Sequence, residues 1–359
     1  MAQEHKDCAE REPPALAPAV QAPTLSVVIP AYNVQQFIAD AVNSTLTQTF
    51  TDLEIVVVDD GSTDRTAEIV TAMTDPRVRL VSKPNGGLSS ARNAGIRAAR
   101  GRYIGLLDGD DRWLPFKAAR HVEAMERDPT IGVTFSQSAY VDEEGRRTGQ
   151  LLATRLAEPT LHDLIRYNHL GNGSTPVVRK EVFEAVGLFD EQLRASEDYD
   201  VWIRVLHRRA GRIILVDEVL TEYRVRSNSL SMEPDVFVPN GEAVHAKLRR
   251  ELTDVPTHVL NHGLANIYRI AGRKCLSTGR FDEAWFWTMK ARQTYPRLFL
   301  VDRKSCATFV LTAIARILPA PIRGWPNGCF RTIYRLLNTM PAKRARQAPE
   351  PRLSRAQGR

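Results

Sequence analysis

This chain of 359 residues lacks the glycine signatures of the common nucleotide folds. No Gly-x-Gly-x-x-Gly follows a strand-like run. Gly171-Asn-Gly173 lacks the third glycine and the strand before it, and there is no Walker A sequence. Cysteine is scarce. Cys8, Cys275, Cys306 and Cys329 form no Cys-x-x-Cys and have no histidine at metal-ligand spacing. That argues against a disulfide frame or zinc site and for reduced thiols in a cytoplasmic protein. Long apolar runs are also missing: none reaches the roughly 20 residues that span a bilayer, and the N-terminus has no apolar core of a signal peptide.

Hydrophobic residues make up 43% and charged residues 25%, an ordinary globular mixture. The net charge of +7 is unevenly spread. Residues 301–359 hold twelve Lys/Arg against Asp302 and Glu350, so the rest of the chain is slightly acidic. Residues 1–23, polar and then Pro- and Ala-rich, are expected to form a disordered lead. Near the other end, 306–318 and 331–340 are apolar helical segments. Ile333, Leu336, Leu337 and Met340 line one face, with Arg331 and Arg335 beside it. Such a helix can lie on an anionic membrane or pack on the rest of the protein. Residues 341–359 are expected to be a basic, disordered tail. No recognition module accompanies the charge, so nucleic acid is not an expected partner.

What the chain does have is alternation. Leu25–Ala31, Ile55–Val58, Val78–Val81 and Tyr103–Leu107 are short apolar runs of the kind found in parallel strands buried on both faces. Helix-like segments lie near 34–47, 64–73, 88–100 and 115–127, with Asp64 as an N-cap and Pro115 in a first turn. This order predicts a mostly parallel sheet covered by helices. Past residue 131 the pattern is mixed. Val133–Val141 and Arg146–Leu152 flank the hairpin signal Asp142-Glu-Glu-Gly145. A strand at Thr175–Val178, helices near 180–186 and 198–209, and strands near 212–225 follow. From about 240 the reading is helical, and Asn266–Leu276 with Phe281–Gln293 suggest a single tetratricopeptide-like hairpin.

Chemistry gathers where the strands end. Asp108, Asp110 and Asp111 fall at the carboxyl end of the Tyr103–Leu107 run, where open α/β sheets bind ligands. Carboxylates this close repel one another. Mg²⁺ or Mn²⁺, completing its shell with substrate phosphates, would relieve that; a solvated acidic turn is the other reading. Strand one ends in Pro30-Ala-Tyr-Asn33 and strand two in Asp59-Asp60. Acids there can accept hydrogen bonds from a base or ribose, or simply favour a helix N-terminus. Gly86-Gly87 allows close backbone approach, and Arg92 and Asn93 can point back to the strand ends, although a plain turn and capped helix would also fit.

Together these phrases resemble family 2 glycosyltransferases of the GT-A fold. The matching residues are Ser26-Val-Val-Ile-Pro-Ala-Tyr-Asn33, Ser44-Thr-Leu-Thr-Gln-Thr49, Asp59-Asp-Gly-Ser-Thr-Asp64, Asn85-Gly-Gly-Leu-Ser-Ser-Ala-Arg-Asn93, Leu107-Asp-Gly-Asp-Asp111 and Ser196-Glu-Asp-Tyr-Asp-Val-Trp202. The resemblance covers residues 24–231. It implies a Rossmann-like α/β domain, with a mostly parallel mixed sheet flanked by helices, divided into a nucleotide half (24–111) and an acceptor half (112–231). A helical extension, 240–340, would follow.

The resemblance also implies roles. Pro30, Ala31, Tyr32 and Asn33, with Asp59 and Asp60, would hold the base and ribose. Asn85, Gly86, Ser89, Arg92 and Asn93 would line the donor site. Asp108-Gly109-Asp110 matches the DxD motif that binds nucleotide sugar and metal, Mn²⁺ or Mg²⁺. Gly109 stands where serine or alanine is common. Asp111 would be a supporting acid, and the Glu197-Asp198 pair would supply the catalytic base, Asp198. Read on their own, Glu197 and Asp198 favour the plainer reading of an acidic first helical turn. Trp202 is either core filling or a sugar platform. Tyr223–Ser231 resembles the family's closing segment, in which Arg224 and Arg226 either clamp the diphosphate or form a solvated strand end.

The expected reaction is inverting, metal-dependent hexosyl transfer from a nucleotide sugar, a UDP-sugar foremost, to a sugar or lipid-linked hydroxyl acceptor. Surface polysaccharide, lipopolysaccharide or other glycoconjugate synthesis is the expected setting, in the cytoplasm or peripherally on the cytoplasmic face of the membrane. The Gln-x-x-Arg-Trp motif of processive synthases is absent, which favours adding one sugar or a few. Two rivals are a sugar-1-phosphate nucleotidyltransferase and an inactive scaffold subunit. The first would place a Gly-rich loop where Pro30-Ala-Tyr-Asn33 stands. Intact Asp108, Asp110 and Asp198 speak against the second.

Overall fold

The computed structural model describes residues 22–226 and 233–317. The 331–340 segment, the 341–359 tail, Ser227–Ser231 of the closing segment and most of the 1–23 lead lie outside the described residues. The chain runs β1 (Leu25–Ala31), α1 (Ile38–Leu46), β2 (Leu53–Asp59), α2 (Thr66–Thr71), β3 (Val78–Ser82), α3 (Leu88–Ala98) and β4 (Tyr103–Leu106). It continues through β5 (Arg112–Trp113), α4 (Lys117–Arg127), β6 (Ile131–Val141), β7 (Arg147–Leu152), α5 (Leu161–Arg166), β8 (Val177–Arg179), α6 (Lys180–Val186), α7 (Glu197–His207) and β9 (Arg212–Arg224). Helices α8 (Pro234–Glu251), α9 (Thr257–Ser277), α10 (Phe281–Thr294), α11 (Leu298–Val301) and α12 (Arg303–Ile317) follow.

Among the described residues one sheet carries all the strands, in the order β3-β2-β1-β4-β8-β6-β9-β5, with β7 paired to β6. Strands β3, β2, β1 and β4 are parallel, and β8 runs against β4. Every residue of β1 and β2 is buried, which is why both read as mainly apolar runs, interrupted by Ser26 in β1 and Glu54 in β2. After β1 the chain builds outward through β2 and β3, then returns to place β4 on the other side of β1. That reversal opens a crevice at the carboxyl ends of β1 and β4. Ala31 pairs with Asp59 and Asp59 with Ser82, so three strand ends are level. Val28 pairs with Leu106, and Leu107 N–H donates to the Val28 carbonyl at 3.1 Å. Residues 108–111 therefore run beside the end of β1.

Several boundaries differ from the sequence expectation. Helix α4 starts two residues after Pro115, and Arg65 is the N-cap of α2. Asp64 caps from one residue earlier: its Oδ1 accepts from Thr66 N–H at 2.9 Å and Thr66 Oγ1 at 2.6 Å. The strands expected near 212–225 are one strand, β9, whose register against β6 shifts around Ser136–Ser138. The expected hairpin is present as β6 and β7.

A core cluster runs from Val28, Ile104 and Phe135 through Trp202 to Val244, Leu248 and Leu260. Helices α8 and α9 therefore share a core with the sheet, and Trp202 fills that core instead of offering a platform. Beyond it, Cys275, Ala284 and Ala315 join α9, α10 and α12. At the end of the sheet away from the crevice, Glu54 on β2 accepts from Ser26 Oγ (2.7 Å), Arg79 Nη1 (2.8 Å) and both the backbone N–H (2.7 Å) and Nε (2.9 Å) of Arg100. One buried carboxylate thus ties together β1, β2, β3 and the approach to β4.

Candidate active site

The loop after β4 is held from below. Ser174 Oγ accepts from Asp108 N–H at 2.9 Å and donates to Asp111 Oδ2 at 2.5 Å. Asp111 Oδ1 accepts from Arg224 N–H at 2.8 Å, and Arg224 Nε donates to the Asp110 carbonyl at 2.7 Å. Asp111 is buried, and its carboxyl is pushed well above the usual range by that burial and by Asp110 and Asp108. It acts as an internal tie between the β4 loop and the end of β9. Asp108 and Asp110 stay partly exposed. Burial and then the Asp108 charge raise Asp110, against Arg226, whose Nη1 lies 3.1 Å from its Oδ2.

Arg92 connects this loop to α7. It is buried, and it donates through Nη2 to Asp108 Oδ1 at 2.7 Å and through Nη1 to Glu197 Oε1 at 2.5 Å. Burial alone would make its guanidinium easier to deprotonate. The Asp108 and Glu197 charges outweigh that and push its pKa up. A Cβ at residue 173 would lie 2.1 Å from Arg92 Nη2 and 3.1 Å from Asp108 Oδ2. Gly173 is required there because the backbone passes directly over the ion pair.

Before α7, Ser196 sits at φ 61° and ψ 17°, a left-handed conformation uncommon for a residue with a Cβ and often found at functional sites. It directs the first helical turn so that Glu197 meets Arg92 while Asp198 stays partly exposed. Asp198 accepts from Asn168 Nδ2 at 3.0 Å and from Tyr199 N–H at 2.7 Å. Burial, then the Glu197 charge, push its carboxyl up to about 6, with Arg92 opposing. A carboxylate with that value is suited to take a proton near neutral pH.

At the end of β2 the two neighbouring acids differ. Asp60 is spent internally, accepting from Lys83 Nζ (2.5 Å), Gly86 N–H (3.1 Å) and Gly87 N–H (2.8 Å). It shapes the glycine loop. Asp59 accepts from Ser62 N–H at 3.1 Å and keeps more acceptor capacity. Asn33 joins the loops after β1 and β2 by accepting from Thr63 N–H at 2.8 Å, and Tyr32 is half exposed beside it. Asn85 Nδ2 donates to the Asp60 carbonyl at 3.0 Å.

Ser89 and Asn93, expected along the donor site, turn away from it. Ser89 Oγ donates to the Leu193 carbonyl at 3.2 Å. Asn93 Nδ2 donates to the Phe189 carbonyl and to Glu191 Oε1, both at 2.9 Å. Both side chains are buried and hold the loop leading into α7. Gly109 faces the end of β1, where a Cβ would meet the Pro30 carbonyl at 3.0 Å and Val34 Cγ2 at 3.2 Å.

The fold thus brings Pro30, Ala31, Asp59, Asp108, Asp110, Glu197 and Asp198 to one end of the sheet. Asn168 and Ser174 were missed, because both act across contacts with no local sequence pattern. Among the described residues no three His, Cys, Asp or Glu side chains converge as a protein-only metal cage. Two partly exposed carboxylates this close together, Asp108 and Asp110, instead suit a hard cation whose remaining ligands come from a diphosphate.

Residues 26–187 match the model of the Glycosyl transferase family 2 domain. That stretch, a little under half of the chain, is a glycosyl transferase family 2 domain. The uncharacterized glycosyltransferase EpsJ of Bacillus subtilis (strain 168) is 39% identical over 225 residues, covering 59% of this chain and 64% of that protein. The match thus spans under two thirds of that relative. The fold is shared with S. aureus TarS 1-349, solved in complex with UDP-GlcNAc, at a TM-score of 0.57 and 20% identity, over 87% of this chain and 92% of that one. It is shared too with the mannosyltransferase PcManGT from Pyrobaculum calidifontis, in complex with GDP-Man and Mn²⁺ (TM-score 0.51, 19% identity, 91% and 90% covered). These family 2 and GT-A likenesses agree with the expected fold class.

Proposed function

We propose that the chain transfers a single sugar, with inversion, from a nucleotide diphosphate sugar to a hydroxyl acceptor. The observation that carries this reading is the Arg92 bridge. One buried guanidinium links Asp108, on the donor side, to Glu197, next to a partly exposed Asp198 whose pKa lies near 6. Two half-sites of one displacement reaction are thereby held at a fixed separation.

In this mechanism Asp59 and the Pro30–Tyr32 backbone receive the base and ribose, and the half-exposed Tyr32 lies beside them. Asp108 and Asp110 would hold Mn²⁺ or Mg²⁺, which when bound offsets the charge of the leaving diphosphate. Arg226, beside Asp110, adds positive charge at the same place. The acceptor oxygen bonds to the anomeric carbon as the carbon–oxygen bond to the diphosphate breaks, and the acceptor's proton passes to Asp198. Asn168 fixes the orientation of that carboxylate. A single displacement of this kind inverts the anomeric centre.

UDP-sugars are the foremost donor candidates, supported by the TarS complex with UDP-GlcNAc; the GDP-Man and Mn²⁺ complex of PcManGT supports a metal and keeps GDP-sugars in the panel. A sugar or lipid-linked acceptor of a surface polysaccharide or other glycoconjugate completes the reading. Peripheral membrane contact through the C-terminal region belongs to it as well. Among the described residues no helix is long and apolar enough to cross a membrane.

The test is a thermal-shift panel of UDP-, GDP- and dTDP-sugars with Mn²⁺. A donor at a hundred times its dissociation constant adds about 2.7 kcal/mol of stability. The reading expects one nucleotide class to raise the melting temperature, and to do so only with the metal present. No shift with any nucleotide sugar would contradict it.

A further inference from the structure

Behind Asn168, the residue that orients Asp198, lies a cavity of about 460 Å³ between the sheet and the C-terminal helices. That volume falls within the usual range for small-ligand sites. One wall is a stripe on α9: His262, Asn266, Arg269 and Arg273, spaced so that they share a helix face. The opposite wall carries Tyr167, His169 and the segment after β7 that includes Arg155. Asn266 supports the stripe from both ends: its Nδ2 donates to the Arg166 carbonyl at 2.8 Å, and its Oδ1 accepts from Arg269 Nε at 2.8 Å.

The charge of this lining is lopsided. Asp302 is its one carboxylate, set against Arg155, Arg269 and Arg273. Burial lowers the pKa of His169 and His262, so both act at neutral pH as hydrogen-bonding groups and add no charge. Tyr167 is exposed at the rim and meets His169 edge-on at 5.3 Å, which leaves an aromatic surface beside the polar wall. This positively charged, partly aromatic cavity lies one side chain away from the proposed base, and its lining includes none of the residues proposed to bind the donor.

We propose that this cavity is the acceptor subsite and that it selects a sugar acceptor carrying an anionic group, phosphate or carboxylate. The anion is held by Arg273 and Arg269 while the reacting hydroxyl reaches past Asn168 to Asp198. The proposal rests on the transferase reading above. It assigns the C-terminal helices a direct part in choosing the acceptor, since α9 supplies the cationic wall.

Binding to the full-length protein, saturated with UDP and Mn²⁺ so that the diphosphate site is filled, tests this. Glucose 6-phosphate, glucuronate and glucose are compared by isothermal titration, with the UDP titration run first. The expected result is that one or both anionic sugars bind at least tenfold more tightly than glucose, phosphate and carboxylate being told apart by the two arms. Arg155→Gln combined with Arg273→Gln should then weaken the anionic sugar at least tenfold and leave UDP affinity unchanged. Ala153→Glu, a charge added at an exposed lining position, should do the same without touching a buried group. Equal binding of charged and neutral sugars, or full affinity in these variants, would overturn the subsite while leaving the donor reading intact. Failure of UDP itself to bind would overturn both.

Discussion

Arg92, with a carboxylate on either side, decides how the acids around it behave. It keeps Glu197 engaged, and so leaves Asp198 as the carboxylate of that pair that can meet a substrate. Because the Asp198 pKa is raised to about 6, it is ionised, and able to accept a proton, only above that pH. The transfer rate is therefore expected to fall about tenfold per pH unit below 6 and to level off above it. Asp198→Asn keeps the shape but cannot take the proton. It should lower turnover by about two to four orders of magnitude at near-normal donor affinity, and the acid limb should vanish. Steady-state kinetics from pH 5 to 8 check both points; a loss confined to the acceptor KM would make Asp198 a positioning group. At this scale the sequence was only partly legible. The types and spacing of Asp108, Asp110, Glu197 and Asp198 pointed to the chemistry proposed for them. What they did not contain was orientation. Asp60, Ser89 and Asn93 turn inward because of partners such as Lys83, Leu193 and Phe189, the last two about a hundred residues away in the chain.

Among the elements, β1, β2 and β4 were readable because strands buried on both faces leave mainly apolar runs, whereas β3, half-buried at the sheet edge, showed through Val78, Leu80 and Val81. The two-residue β5 and the short α5 carry no periodicity to read, and β9 looked like more than one strand because its register shifts. What holds the parallel strands at the end away from the crevice is Glu54. Burial would raise its pKa. The hydrogen bonds from Ser26, Arg100 and Arg79 outweigh that and lower it from 4.5 to about 2. A depressed acid stabilises the fold above its unfolded pKa and loses that contribution as pH falls through the folded value. The window here is pH 4.5 to 2, and the contribution is about 3 kcal/mol. Glu54→Gln should therefore be less stable than wild type at pH 7, with the gap roughly halved by pH 3. Urea unfolding at the two pH values measures it. A gap of equal size at both would mean that ionised Glu54 contributes nothing, and donor affinity should be untouched in either case.

At the scale of the whole molecule, the C-terminal helices are built into the same fold as the sheet. Helices α8 and α9 share the sheet's core, and α12 packs through Ala315 against α9 and α10. Composition showed that this region was helical but not that it lines the cavity behind Asn168, since that depends on which face of α9 meets the sheet. The positive charge is concentrated further on, in residues 318–359. If that stretch holds the protein on a membrane, each basic residue near an anionic surface contributes roughly 1 kcal/mol. Salt weakens the attraction, as the Debye length falls from about 10 Å at 0.1 M to 3 Å at 1 M. Ending the chain after Ile317 keeps α12 and should abolish co-sedimentation with anionic liposomes at unchanged UDP affinity. Equal liposome binding by the shortened and full-length proteins would exclude the tail as the anchor.

The central claim is a metal-dependent donor site at the ends of β1 and β4, and titration of UDP with Mn²⁺ into wild type and Asp110→Asn tests it most directly. Asp110 is partly exposed and tied to the protein by Arg226, so the amide should leave the fold intact while removing a charge from the site. The expected result is tight UDP binding by wild type only when Mn²⁺ is present, and loss of that metal-dependent binding in Asp110→Asn. UDP affinity that is the same in both proteins, or the same with and without Mn²⁺, would contradict the account.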